Sequence, residues 1–306
     1  MLLKYYTTFS FFTKIPPKML FLNRAFIDLH INNLFMKRFL IVGLMTLSLA
    51  INAQDKKQNI DPKYAFCYKA TTLETDDYKI YIDDAVNENT YSKFRLRIFN
   101  KTNDYLIFKP TDVIFKIGSQ ELSGKDKQFV ILPNEEGGKV IDVKGTGLQE
   151  QKYIFEIKNV YKVSANSPAI KTEDFKIPVA NKEFSAGSFK CNLKKSSVNT
   201  DNSTFKFECN YGGDAIGILA PNKCVAIMPK GQENPTINRN KGTLLEKDKS
   251  DDFTVEIKEL KGGGDMQKLP FKLVWGETFK ESKIEPIKGG KVNMELDQAK
   301  TTEKNQ

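Results

Sequence analysis

The sequence predicts an all-β protein built from two tandem copies of one antiparallel β-sandwich unit behind an N-terminal signal peptide. Three observations lead there. Apolar and polar residues alternate over short runs separated by turn clusters; helical spacing of apolar residues is hard to find after Asn59; and the alternating runs of the first half return in the second in matching register. A chain of 306 residues suits about two domains of roughly 100–150 residues each. With 40% hydrophobic residues it can build real cores, which excludes wholesale disorder and a polytopic membrane protein.

The leader comes first. Met36, Lys37 and Arg38 precede an apolar stretch over 39–50, and small residues at Ala50 and Ala53 offer an exit before Gln54. The stretch is too short for a spanning helix of roughly 20 residues, and Gln54 stands where a lipid anchor would need a cysteine. Residues 36–53 therefore read as a signal peptide, and 1–35 as an over-long N-terminal extension. The formal charge of +9 shrinks accordingly. Losing residues 1–53 removes six basic residues and Asp28, so 47 Lys and Arg become 41 while 38 Asp and Glu become 37, a net +4. That balance gives no electrostatic footprint for nucleic acid.

Past the leader the strands follow in order. Phe94, Leu96 and Ile98 alternate with Arg95 and Arg97; Phe205, Phe207 and Cys209 repeat the pattern. Ile141 with Val143, Tyr153 with Phe155 and Ile157, Val255 with Ile257, and Phe271 with Leu273 and Trp275 add further runs. A shift of 111 positions places Tyr78 on Phe189, Ile80 on Cys191, Phe94 on Phe205, Ile98 on Cys209 and Pro110 on Pro221 without a gap. With small insertions, Leu132 then falls on Leu245 and Ile157 on Trp275. The units are expected over 61–166 and 176–289, joined by a linker around Ser164, Ala165, Asn166, Ser167 and Pro168. Residues 290–306, polar and poor in large apolar groups, are expected to be a flexible tail.

The run Phe94-x-Leu96-x-Ile98-x-Asn100, followed by Lys101, Thr102, Asn103, Asp104, Tyr105, Ile107, Phe108 and Pro110, resembles the second and third strands of immunoglobulin-like modules in bacterial secreted proteins. About seven short strands in each unit fit that resemblance. It implies a fold, and it implies no particular activity.

The single histidine, His30, leaves with the leader. A mature chain without imidazole excludes Ser-His-Asp and Cys-His catalysis and histidine-ligated zinc or iron. No catalytic residue, cofactor or firm metal site is assigned.

The remaining features each carry a plain alternative. Four cysteines in an exported chain permit disulfides, and a hairpin near Thr200 would set Cys191 opposite Cys209. Against this, Cys191, Cys209 and Cys224 fall on core positions and could serve as small buried hydrophobes. Cys67 has no partner in its own half. Asp83, Asp84 and Glu88 gather oxygens that could serve Ca²⁺, although acid-rich turns are ordinarily just solvated. The acid pairs 76–77, 135–136 and 251–252 could in principle serve glycoside hydrolysis. Lys261 and the glycines 262–264 read as a hairpin loop. Asn100 and Asn202 begin acceptor triplets for N-glycosylation, relevant only to a eukaryotic host. Tyr91, Tyr105 and Tyr211 sit near strand ends, where they could contact a partner or pack on neighbouring strands.

The expected protein is exported, to the periplasm, cell surface or medium. It is expected to be non-catalytic and to bind a protein or cell-envelope component, not nucleic acid. It is not expected to be integral to the membrane once processed. A carbohydrate-binding accessory role and, further off, a carboxylate hydrolase are the alternatives.

Overall fold

The structure, a computed structural model, describes residues 60–237, 242–258 and 265–306. The expected extension 1–35, the signal peptide 36–53 and the glycines 262–264 lie outside the described residues.

In the first half the alternating runs become strands β1 (Phe66–Cys67), β2 (Thr71–Glu74), β3 (Tyr78–Asn87), β4 (Tyr91–Asn100) and β5 (Tyr105–Phe108). A 3-10 turn at Pro110–Asp112 then leads into β6 (Val113–Ile117), β7 (Gln120–Ser123), β8 (Phe129–Ile131), β9 (Glu136–Lys144) and β10 (Lys152–Val163). One antiparallel sheet has the order β1-β3-β4-β9, with β2 also on β3; the other has β7-β6-β10-β5-β8. β5 and β6 follow one another along β10, with Ile107 opposite Tyr161 and Val113 opposite Ile157. Pro110, which has no N–H to give a ladder, marks the interruption between them.

Period-two burial drives the two sheets together. Phe94, Leu96 and Ile98 are buried while Lys93 and Arg95 between and beside them are exposed. Phe94 reaches across to Phe115, ring centroids 5.4 Å apart, and to Phe155 at 4.7 Å. Each such buried ring contributes about 1.5–3 kcal/mol.

The second half contains β11 (Phe175–Ile177), β12 (Glu183–Ala186), β13 (Phe189–Val198), β14 (Asn202–Tyr211) and β15 (Ile216–Leu219). A second 3-10 turn, Pro221–Lys223, precedes β16 (Val225–Ile227), β17 (Glu233–Pro235), β18 (Thr243–Leu245), β19 (Lys249–Lys258), β20 (Phe271–Val274) and β21 (Phe279–Ser282). Each of β13, β14, β15 and the turn lies 111 residues beyond β3, β4, β5 and the first turn. Pairing repeats as well: Phe115 faces Phe155, and Ala226 faces Leu273. One alignment shifts by a residue. Ile131 pairs with Leu106 and Leu245 with Gly217, so Ile131 rather than Leu132 holds the place of Leu245. Trp275, 2% exposed, packs among Phe184, Phe207, Phe253 and Phe279.

The segments after the long strands change sides. After β10, Ala169 bridges to Lys280 of β21 and β11 pairs with β20. After β21 only Lys283 intervenes before β22 (Ile284–Glu295), which runs antiparallel along all of β10. Each half is thus flanked, along its long strand, by the segment that follows the long strand of the other.

The expected boundary at 289 and the flexible tail over 290–306 are corrected by this. β22 continues through residue 289, and helix α1 (Gln298–Lys304) follows it onto β1. Cys67 N donates to Thr301 Oγ1 at 2.9 Å, and Asn305 Nδ2 donates to the Ala65 carbonyl at 2.8 Å. Two inward side chains, Val292 and Met294, anchor the strand while Lys291, Asn293 and Glu295 face out. At Gly289 a Cβ would lie 1.9 Å from the Ile157 carbonyl oxygen, so only glycine permits this approach. Where the halves meet, Tyr105, Ile107 and Val163 pack with Ile216 and Ile218, equivalent positions of the two halves. Among the described residues no helix is long and apolar enough to cross a membrane.

Candidate functional site

At one end of the sheet β11-β20-β16-β17, alternation turns Ala226 and Leu273 into the core and their neighbours outward. Ile227 then stands opposite Lys272, and Lys272 opposite Lys176, forming a row across three strands. This row borders a groove of about 540 Å³. Half-buried Ile227 lies in it with buried Ile177, Met228 and Phe271. Pro178, Pro229 and Pro270 stand in the bordering loops, one at the end or start of each of the three strands. Proline there ends a ladder without leaving an unpaired N–H. Lys272 Nζ reaches Asp174 Oδ2 at 2.6 Å. A smaller cavity of about 190 Å³ lies at the seam of the halves, where Lys280 already bonds the Ala165 carbonyl and Glu277.

The groove holds none of the candidate site residues read from the sequence. Asp83 is taken by two guanidinium groups, Arg95 Nε at 2.6 Å and Arg97 at 2.9 Å, and Asp84 by Arg95 at 2.7 Å. Burial pushes the Asp83 carboxyl up, but the bonds and charges of Arg95 and Arg97 outweigh it and hold the carboxyl below its ordinary value. Glu88 accepts a hydrogen bond from the Tyr91 hydroxyl. These three acids therefore serve arginines and a tyrosine, and among the described residues no group of three acidic, histidine or cysteine side chains could hold a metal ion.

The tyrosines divide. Tyr91 is half-buried, with Lys93 over its ring. Tyr105 and Tyr211 are buried, the first in the seam and the second against Phe189, so neither can offer a surface contact. The alignment carried a warning, since Tyr105 falls on the apolar Ile216. Of the exposed-face tyrosines, Tyr81 lies under Arg97 and Tyr161 under Lys109, so neither presents a bare ring to a sugar. Asp77, Glu136 and Asp252 each meet a basic side chain, Lys162, Arg97 and Lys206.

Cys191 and Cys209 stand directly opposite in the β13-β14 ladder and are joined by a disulfide, Cα atoms 4.1 Å apart. That spacing belongs with the narrow kind of cross-strand pair, about 4.5 Å. Cys67 and Cys224 are free and buried, and burial pushes both thiols up. Asn100 is fully buried, its amide donating to the Asp104 and Leu132 carbonyls, which places it beyond a glycosyl acceptor's reach.

The groove had no single sequence signature. Three strand ends distant in the chain make it, and the only local signals were the prolines beside them. No protein-family model matches the sequence, and no curated protein matches it.

Proposed function

We infer that the protein is an exported, non-catalytic binding protein of two immunoglobulin-like units that hold a protein or cell-envelope component. The topology supports the fold assignment. β3, β4 and β9 form one sheet, while β5 with β6, β10 and the incoming β22 form the sheet facing it, with β4 crossing to β5 and β8 back to β9. The disulfide supports export, because such bonds persist in oxidising compartments.

One observation carries the binding role: the groove at the end of the second half is lined, among the described residues, by aliphatic, aromatic and proline side chains with two lysines, and by no carboxylate, thiol or hydroxyl. Such a surface holds ligands and offers no acid, base or nucleophile pair of the usual kind. The test is capture from envelope extract by the full chain and by Ile227→Asp. Capture of a component that the variant fails to retain is expected. Equal capture by both, or none by either together with no affinity for wall polymers, contradicts the reading.

A further inference from the structure

We propose that the groove receives a single-chain amphiphile with an anionic head, its hydrocarbon on Ile227 and Met228 and its charge between Lys176 and Lys272. The proposal rests on reading the groove as a binding site and names what enters it.

Lys176 and Lys272 are direct cross-strand partners. Like charges set opposite one another destabilise a sheet. Asp174 offsets one of them at 2.6 Å, and no ion pair is formed by Lys176 among the described residues. The first half arranges the same row differently: Lys116, Ile154 and Asn293 stand opposite one another, and Lys116 is bound by Glu156 at 2.8 Å. In this row a lysine pair with a single carboxylate between the two is therefore a property of the second half, and it lies beside the groove. A bound anion would neutralise it, as charge-assisted contacts to ammonium groups do.

The rest of the lining decides what the anion is attached to. A peptide would bring backbone N–H and C=O groups that need partners once covered. Pro178, Pro229 and Pro270 supply no N–H, and Ile177, Ile227, Met228 and Phe271 supply no side-chain donor or acceptor suited to them. A hydrocarbon asks for neither. A volume of about 540 Å³ lies within the range of small-ligand sites.

The experiment titrates the full chain with laurate, dodecyl phosphate, dodecyl maltoside and dodecyltrimethylammonium, below their micelle concentrations, by calorimetry. Saturable binding of the two anions is expected, with the neutral and cationic chains about tenfold weaker or more, and with anion affinity falling as salt rises. Lys176→Gln with Lys272→Gln is expected to remove that preference, and Ile227→Asp to remove binding altogether. Flotation with phosphatidylcholine vesicles containing phosphatidylglycerol separates the sources. Laurate binding without co-flotation is expected and assigns a free single-chain amphiphile, whereas co-flotation would point to the two-chain lipid of a membrane and overturn that assignment. Equal affinity for anionic and neutral chains, an anion preference that survives loss of both lysines, or no saturable binding overturns the proposal. In each of those cases the binding-protein reading still stands if Ile227→Asp loses its captured envelope component, so the two failures are distinguishable.

Discussion

The first half closes over Phe94, Phe115 and Phe155 beside one uninterrupted long strand, whereas the second closes over Trp275, a disulfide and a long strand broken in two. Ile80 faces Ile98 in β3 and β4, and at the equivalent places Cys191 faces Cys209. β10 spans twelve residues, while β20 and β21 are parted at Trp275, Gly276, Glu277 and Thr278, with Gly276 at φ 51°. The cover differs too. β22 pairs with β10 along its whole length and continues into α1, but β11 is only three residues long and Pro178 follows it at once. The shorter cover leaves the end of the second half open, and the groove lies there. One topology is thus held by different side chains, and the difference places the candidate site.

The largest effect should come from removing the strand that crosses. Ending the chain after Lys283 deletes β22 and α1, uncovers β10 and loses the buried Val292 and Met294, at a cost of about 4 kcal/mol or more. Hydrogen exchange should accelerate across β10 and β6 and stay slow across β13 and β14; unchanged protection of β10 would count against the exchange of strands. Gly289→Val should do much the same by collision with the Ile157 carbonyl.

The disulfide comes next. Cys191→Ser with Cys209→Ser opens a loop whose ends are 18 residues apart, a loss of about 3 kcal/mol by the chain-entropy account. Isoleucine at both positions, copying Ile80 and Ile98, should recover part of it. A melt insensitive to all of these substitutions would show that the bridge adds nothing to the second half.

At the seam, Ile107→Ala and Ile218→Ala remove side chains from one shared cluster. Their effects should be non-additive by about 1 kcal/mol in a double-mutant cycle, whereas strict additivity would mean the halves pack independently.

The smallest effect is one of pH. Hydrogen bonding by Lys116, then the charges of Lys116 and Lys291, outweigh burial and hold the Glu156 carboxyl below its ordinary value. A carboxyl depressed in the folded state stabilises above its unfolded value of about 4.3 and ceases to do so as pH falls through the folded value. Val274 occupies the corresponding place in the second half, so acid should loosen the pairing of β6 with β10 more than that of β16 with β20. Glu156→Gln should abolish that difference in acid melts followed by hydrogen exchange.

Much of this was legible in the sequence. The shift of 111 residues located β3 to β5 and their counterparts, because alternation of apolar residues directly encodes which face of a strand is buried. That Cys191 would lie opposite Cys209 followed from one hairpin, a local relation, while their core positions allowed a bridge or two buried thiols. The crossing strands were not legible, since a strand's pattern says which face is inward and not which neighbour it joins. Residues 290–306 looked free because only Val292 and Met294 turn inward in β22. For Tyr105 and Tyr211 the sequence allowed either a partner contact or packing on neighbouring strands, and the seam and the ring of Phe189 cover them. The groove escaped for the same reason as the crossing, being made of strand ends brought together only by the fold.

The exchange of strands is tested most directly by Asn159→Cys with Lys288→Cys, partners across β10 and β22. Mild oxidation of the monomer should yield a peptide linking 159 to 288 within one chain, found by mass spectrometry after digestion. Free thiols at both positions, or a link formed only between two molecules, would contradict the account.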